Sequence, residues 1–245
     1  AGNKKMFQNK RAVIPGLLTL GNLTCGFLSI VYASDGEFTT AGYLILASTF
    51  FDMIDGLAAR LLNAASNFGV QLDSLADVVG FGAPTAFLIY KYKLESLETW
   101  GLVISLLFLA CGALRLARFN TEITDLKKKD YKGIPIPVAA LIVTLLVLAQ
   151  LNSSFIPTSM KWVFPVVTIL SALGMVSSIK FAAFPKFNKA AIMANPLQLV
   201  LVVLLPFALY FYSMTGLFVI FTFGILLNIA YSYVSKEKKQ KNQRK

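Results

Sequence analysis

FFDMIDGLAARLLNAASNFGVQLDSLADVVGFG, residues 50–82, sets four aspartates, Asp52, Asp55, Asp73 and Asp77, among Phe, Leu, Val, Ala and Gly. At about 100° per residue, Asp52 and Asp55 share one helix face with Gly56 and Ala59, and Asp73 and Asp77, four apart, share a face of the next helix. Two helices can therefore aim two carboxylates each into one gap. An Asp inside a membrane helix costs about 2.5–3.5 kcal/mol on insertion scales, so four unpaired ones would cost on the order of 10 kcal/mol. One such residue reads most simply as an interfacial acid turned to water; four in register do not. Arg60 is the sole basic residue between positions 12 and 90, so the balancing positive charge has to come from outside the chain.

That the surroundings are hydrocarbon follows from the whole sequence. The 245 residues are 56% hydrophobic and 14% charged, with a mean hydropathy of +0.67, too apolar for an ordinary soluble domain. Apolar runs of membrane-spanning length occur near 13–33, 40–61, 74–91, 99–117, 136–151, 158–178, 196–213 and 216–234. The expectation is an all-α integral membrane protein of about eight spans with both termini on the same side. Of the 23 Lys and Arg, 20 fall at alternate ends of these spans, which the positive-inside rule makes cytoplasmic; Lys91, Lys93 and Lys161 fall at the others. The turns near Asp35–Glu37 and Glu95–Glu98 then face outward. Residues 1–12 are expected as a cytoplasmic or interfacial segment, 13–235 as a transmembrane catalytic domain and 236–245 as a basic cytoplasmic tail. Because seven more spans follow the first, it is not expected to be a removable signal.

A net charge of +11 confined to one surface suits anionic lipid headgroups. The tail KEKKQKNQRK lacks the interleaved aromatics of a nucleic-acid surface, so no nucleic-acid partner is expected. Cys25 and Cys111 lie in apolar runs and read as small buried hydrophobes. The chain has no histidine, which excludes Ser-His or Cys-His nucleophilic schemes and His-ligated zinc. A general base here is a carboxylate, or failing that a Lys or Tyr.

Hard divalent cations meet these demands: they take carboxylate oxygens, and two of them balance four negative charges. A pair of such ions is also the usual apparatus for displacement at phosphorus. Gly56, Ala58, Ala59 and Gly69 leave room for a bulky diphosphate ester to approach the backbone, although small residues in membrane helices also serve close packing. Thr19 and Asn22, three apart on the first span, either line the same cavity or tie helices together.

The pattern Asp52-x2-Asp55-Gly56-x2-Ala59-Arg60-x8-Gly69-x3-Asp73-x3-Asp77 resembles, in identity and spacing, the signature of the CDP-alcohol phosphotransferases. The resemblance implies a six-helix core around a cytoplasm-facing polar cavity, usually in a homodimer. It implies Asp52, Asp55, Asp73 and Asp77 as ligands of two divalent cations, Mg2+ or Mn2+, with Asp77 also the general base. Gly56, Ala59, Arg60 and Gly69 are implied as contacts for the cytidine diphosphate moiety, with Ser66, Thr19 and Asn22 as further candidates.

The acceptor is sought outside that signature. Arg115 and Arg118 share a face, with Asn120 just beyond, and an arginine fork suits a carboxylate or phosphate; the lysines at 127–129 read as cytoplasmic flanking charge. RLARFN (115–120) with GIPIP (133–137), PGLLTLGNLTCGF (15–27) and SLADVVGFGAP (74–84) is similar to the phosphatidylserine synthase branch. The branch implies transfer of the phosphatidyl group of CDP-diacylglycerol to the L-serine hydroxyl in the cell membrane, releasing CMP, with Arg115, Arg118 or Asn120 on the serine. Glycerol 3-phosphate or inositol phosphate as acceptor, and an archaeal-type ether lipid as donor, stay compatible with the sequence. Acids in a membrane cavity also suit an ion-coupled transporter, but no second copy of the aspartate motif marks a repeat. Pro135 and Pro137 are expected to open the fifth span.

Overall fold

The computed structural model describes residues 13–62, 64, 66–123, 133–152, 160–178, 216, 218–219 and 222–224, and these are helical apart from short turns. The seventh expected span, most of the eighth, residues 1–12, the lysines at 127–129 and the 236–245 tail lie outside the described residues.

α1 (Val13–Ser34) and α2 (Phe38–Leu61) form a helical hairpin. Its turn closes at Gly36, whose φ of +84° is one that glycine adopts without steric cost, and the Glu37 amide donates back to the Tyr32 carbonyl at 2.9 Å. α1 contains 22 residues, about 33 Å at 1.5 Å each, enough to cross a bilayer. Small and polar residues let the helices approach: Ser29 Oγ donates to the Ala41 carbonyl at 2.9 Å, and Gly21 lies beneath the Phe51 ring.

After the short 62–66 connection the chain returns as α3 (Asn67–Asp77), a π-helical turn (Val78–Gly82), α4 (Ala83–Ile89), a second π turn (Tyr90–Leu94) and a single 3-10 turn (Glu95–Leu97). Hydropathy alone starts this span at 74. The helix starts at Asn67 because Ser66, in extended backbone, caps it, its Oγ accepting from the Gly69 amide at 3.0 Å. The Glu98 backbone, at φ +50°, turns the chain into α5 (Glu98–Ile123). α5 runs past the expected boundary at 117, so Arg115, Arg118 and Asn120 all stand on the helix rather than at its exit. By length and composition, α1 and the run Asn67–Thr121 are apolar enough to cross a membrane.

α6 (Ile136–Asn152) is apolar all round, and the bundle buries it accordingly: Ile136, Val143, Leu146, Val147 and Leu148 are fully enclosed. Pro135 and Pro137 open it as expected, and the Pro135 carbonyl accepts from the Ala139 amide. α7 (Val163–Val176) packs on α5 and α6. The bundle has two distinct ends. At one, Tyr92 bonds Gln150 at 2.8 Å and meets the Phe38 and Phe164 rings edge-on. At the other lie the four aspartates.

Candidate active site

The C-terminal half of α2 and the whole of α3 carry the carboxylates. One oxygen from each of Asp52, Asp55 and Asp73 lies within 4.8 Å of the others, with Asp55 buried and its two neighbours half-buried. Asp77, at the end of α3, is buried behind this cluster, and its carboxyl is within hydrogen-bonding distance of that of Asp52. The donor set is oxygen only and converges from two helices. It therefore fits hard divalent cations, with Asp52, Asp55 and Asp73 grouped and Asp77 reached through Asp52.

α1 supplies the supporting contacts. Thr19 Oγ1 donates to Asp55 Oδ2 at 2.8 Å, holding that carboxylate toward the cluster. Asn22 Nδ2 donates to Asp77 Oδ1 at 3.5 Å, while Ser48 of α2 donates to Asn22 Oδ1. Of the two sequence readings of this pair, Thr19 combines both, lining the cavity and bonding across helices; Asn22 is fully enclosed and acts between helices.

A cavity of about 480 Å³ opens beside the cluster, between α1, the end of α2 and the start of α3. Asp55, Asp73, Gly56, Ala59, Ser66 and Gly69 form its polar and small-residue wall. The rest of the lining includes the hydrocarbon of Val13, Leu17, Leu20, Phe68 and Val70. The guanidinium of the exposed Arg60 extends back toward Gly56, close to where a Cβ at that position would be. Ser66 Oγ, expected as a ligand contact, also serves as the cap of α3.

The two arginines of α5 part ways. Arg115 is 7% exposed, lies within electrostatic reach of Asp77 and faces the Phe119 ring at 5.5 Å. Arg118 donates to the carbonyls of Val176 and Ser177 at 3.1 and 3.4 Å, capping the negative end of α7. Asn120 pairs with Ser74 of α3, Nδ2 to Oγ, at 2.9 Å. The arrangement thus brings together four carboxylates, one buried guanidinium and a largely apolar cavity, groups that can meet cations and an amphiphilic phosphate ester.

Comparison with known proteins agrees. A family model described as CDP-alcohol phosphatidyltransferase matches residues 12–176. The chain is 38% identical over 178 residues to the CDP-diacylglycerol–serine O-phosphatidyltransferase of Helicobacter pylori (strain ATCC 700392 / 26695), covering 73% of this chain and 75% of that protein. To the enzyme of the same name from Bacillus subtilis (strain 168) it is 36% identical over 177 residues, 71% of this chain and 92% of the relative. To the archaetidylserine synthase of Methanothermobacter thermautotrophicus it is 34% identical over 170 residues, 69% of each chain. With the matched region spanning every described helix from α1 to α7 and containing all four aspartates, this chain belongs to the CDP-alcohol phosphatidyltransferase family.

Proposed function

We propose that the protein is a membrane enzyme that transfers the phosphatidyl group of CDP-diacylglycerol to the hydroxyl of L-serine, giving phosphatidylserine and CMP. The observation that carries the proposal is the convergence of Asp52, Asp55 and Asp73 beside a cavity lined by acids of this cluster, small residues and hydrocarbon, with Asp77 and Arg115 buried nearby. Serine is the acceptor named in all three relatives, whereas their names differ in the lipid. A serine acceptor also gives Arg115 a role, since its fork of donors matches a carboxylate. Glycerol 3-phosphate or inositol phosphate would bring a phosphate to the same place and are arms of the test below.

In this reading Asp77 accepts the serine hydroxyl proton as the oxygen bonds to the phosphorus that carries diacylglycerol. The bond from that phosphorus to the CMP oxygen breaks, and CMP departs as a phosphate monoester. Asp52, Asp55, Asp73 and Asp77 hold two divalent cations, Mg2+ or Mn2+, which when bound supply the positive charge that a diphosphate and a departing phosphate require. Gly56, Ala59 and Gly69 let the diphosphate approach the backbone, Arg60, Ser66 and Thr19 border its path, and the diacylglycerol chains lie against Leu17, Leu20 and Phe68. Holding the acceptor oxygen in line with phosphorus is the larger part of the catalysis asked of the fold.

The carboxylate end of the bundle, where Arg60, Arg115 and Arg118 also lie, faces the cytoplasm by the positive-inside rule, in a chain of about eight spans working as a homodimer in the cell membrane. The test is CMP release by purified protein in detergent with CDP-diacylglycerol and Mg2+ or Mn2+. Serine, glycerol 3-phosphate, inositol phosphate and no alcohol are compared, with Asp77→Asn and a chelator as controls. Release that needs serine and cation and disappears in Asp77→Asn is expected. Release with another alcohol overturns the acceptor, and no release with any alcohol from folded, cation-loaded protein overturns the enzyme.

A further inference from the structure

The geometry points to Ser48 as a positioning residue for Asp77, acting through Asn22; this rests on the role proposed above for Asp77. Ser48 is fully enclosed on α2, at the spacing of i to i+7 before Asp55, and so on the face that looks toward the carboxylates. Its hydroxyl donates to Asn22 Oδ1 and stands 3.1 Å from the Asn22 carbonyl and 3.2 Å from that of Gly80. One side chain of α2 thus touches both α1 and the π turn that follows Asp77.

An asparagine amide has an acceptor at one end and a donor at the other, so fixing the first fixes the second. Ser48 holds the oxygen end of Asn22, and this leaves Nδ2 facing Asp77 Oδ1. An amide turned the other way would present its oxygen to a carboxylate, a repulsive contact in an enclosed site where no water can compensate. With Oδ1 engaged by Asn22, the carboxyl of Asp77 is restrained in rotation, and its second oxygen is left for the reacting hydroxyl.

The π turn belongs to the same device. A π turn bonds i to i+5 and shifts the following backbone out of α-helical register; here it brings the Gly80 carbonyl to Ser48. A Cβ on Gly80 would collide with Asn22 Oδ1 and lie 2.8 Å from Ser48 Oγ, so glycine is what allows the three groups to meet.

The experiment compares Ser48→Ala, Ser48→Cys and Asn22→Ala with wild type in the CMP-release assay, measuring kcat and the KM of each substrate, alongside thermal unfolding in detergent. Alanine deletes both the donor and its bulk, whereas cysteine fills the space with a larger atom and loses most of the donor strength, so a loss common to both reports the hydrogen bond rather than packing. Supporting contacts of this kind are worth about 10- to 100-fold in activity. The expected result is a fall in kcat of that size in both Ser48 variants, with KM values within about two-fold and Ser48→Cys unfolding near wild type. In the Ser48→Cys/Asn22→Ala double variant the loss is expected to equal that of Asn22→Ala alone, because the first acts through the second. Wild-type kcat in Ser48→Cys overturns the inference while leaving the proposed reaction standing, and so does full additivity with Asn22→Ala. An inactive wild type instead removes the reaction on which it rests.

Discussion

Gly26→Ala replaces one hydrogen atom by a methyl group where α1 crosses the π turn. The added Cβ would sit 2.5 Å from Gly80 Cα and 2.9 Å from the Val79 carbonyl carbon, and closer still to the Val79 oxygen. All three are backbone atoms, so no side chain can swing aside. To restore contacts of at least 3.0 Å, α1 and the π turn have to move apart by more than half an ångström. Forced overpacking of this kind costs about 1–3 kcal/mol, which for a chain of this size lowers Tm by roughly 2–12 °C. Activity suffers more than stability. α1 carries Thr19 and Asn22, whose contacts at 2.8 and 3.5 Å position Asp55 and Asp77, and a misplacement approaching 1 Å costs on the order of 100-fold in rate. Gly16→Ala on the same helix is the control, because a Cβ there meets nothing within 4 Å, and removing a helical glycine stabilises by about 0.5–1 kcal/mol. The pair is scored by thermal unfolding in detergent and by CMP release. Gly26→Ala protein with wild-type Tm and activity within about two-fold would refute the close approach of α1 to the π turn.

Asp73→Asn removes one of three convergent carboxylates, and activity is expected to fall by at least about 100-fold, with thermal stabilisation by Mn2+ weakened; unchanged stabilisation would show that Asp73 holds no cation. Thr19→Val keeps the shape of the side chain and deletes its bond to Asp55, so cation affinity read by titrating Mg2+ against CMP release is expected to fall about 10-fold or more. Arg115→Lys replaces a planar fork by a point charge and raises the KM for serine, whereas Arg118→Ala lowers Tm through its lost bonds to the end of α7 and leaves that KM within about two-fold. A serine KM that responds to Arg118 and ignores Arg115 would exchange the two roles.

What could be read in the sequence and what could not divide along a physical line. Charge in hydrocarbon is expensive enough to be conspicuous, so Asp52, Asp55, Asp73 and Asp77 stand out with their spacing, and the i, i+3 and i, i+4 rules place them on common faces. The start of α3 was hidden from hydropathy by Asn67 and Gln71, yet the Ser66 cap was present to mark it. The π turn at Val78–Gly82 has no such mark: it departs from the 3.6-residue period within an apolar run, where either register buries hydrocarbon equally well. Ser48 carries a faint signal, a hydroxyl two turns before Asp55 with Thr49 beside it. Its weight comes only from the approach of Asn22 and Gly80, residues 26 and 32 positions away. Arg118 looks like Arg115 in sequence because what separates them is the end of α7, 58 residues on.

α1 shows most clearly how the rest of the chain gives four similar carboxylates different work. Its sequence, VIPGLLTLGNLTCGFLSIVYAS, contains no charged residue, and on charge alone it would be a plain membrane span. Thr19 and Asn22 are three residues apart and therefore about one turn apart along the helix, and each reaches a different aspartate. The hydroxyl meets Asp55 at the wall of the cavity, where the proposed reaction needs a carboxylate open to cations. The amide meets Asp77 where it is enclosed beside Arg115, and there the proposed reaction needs a carboxylate that takes a proton as well as a cation. Exchanging the two polar residues, Thr19→Asn with Asn22→Thr, keeps composition and hydropathy the same and misaligns both contacts. Under the proposed reaction, what sets Asp77 apart from its three neighbours resides in the register of α1 against α2 and α3 as much as in the aspartates themselves.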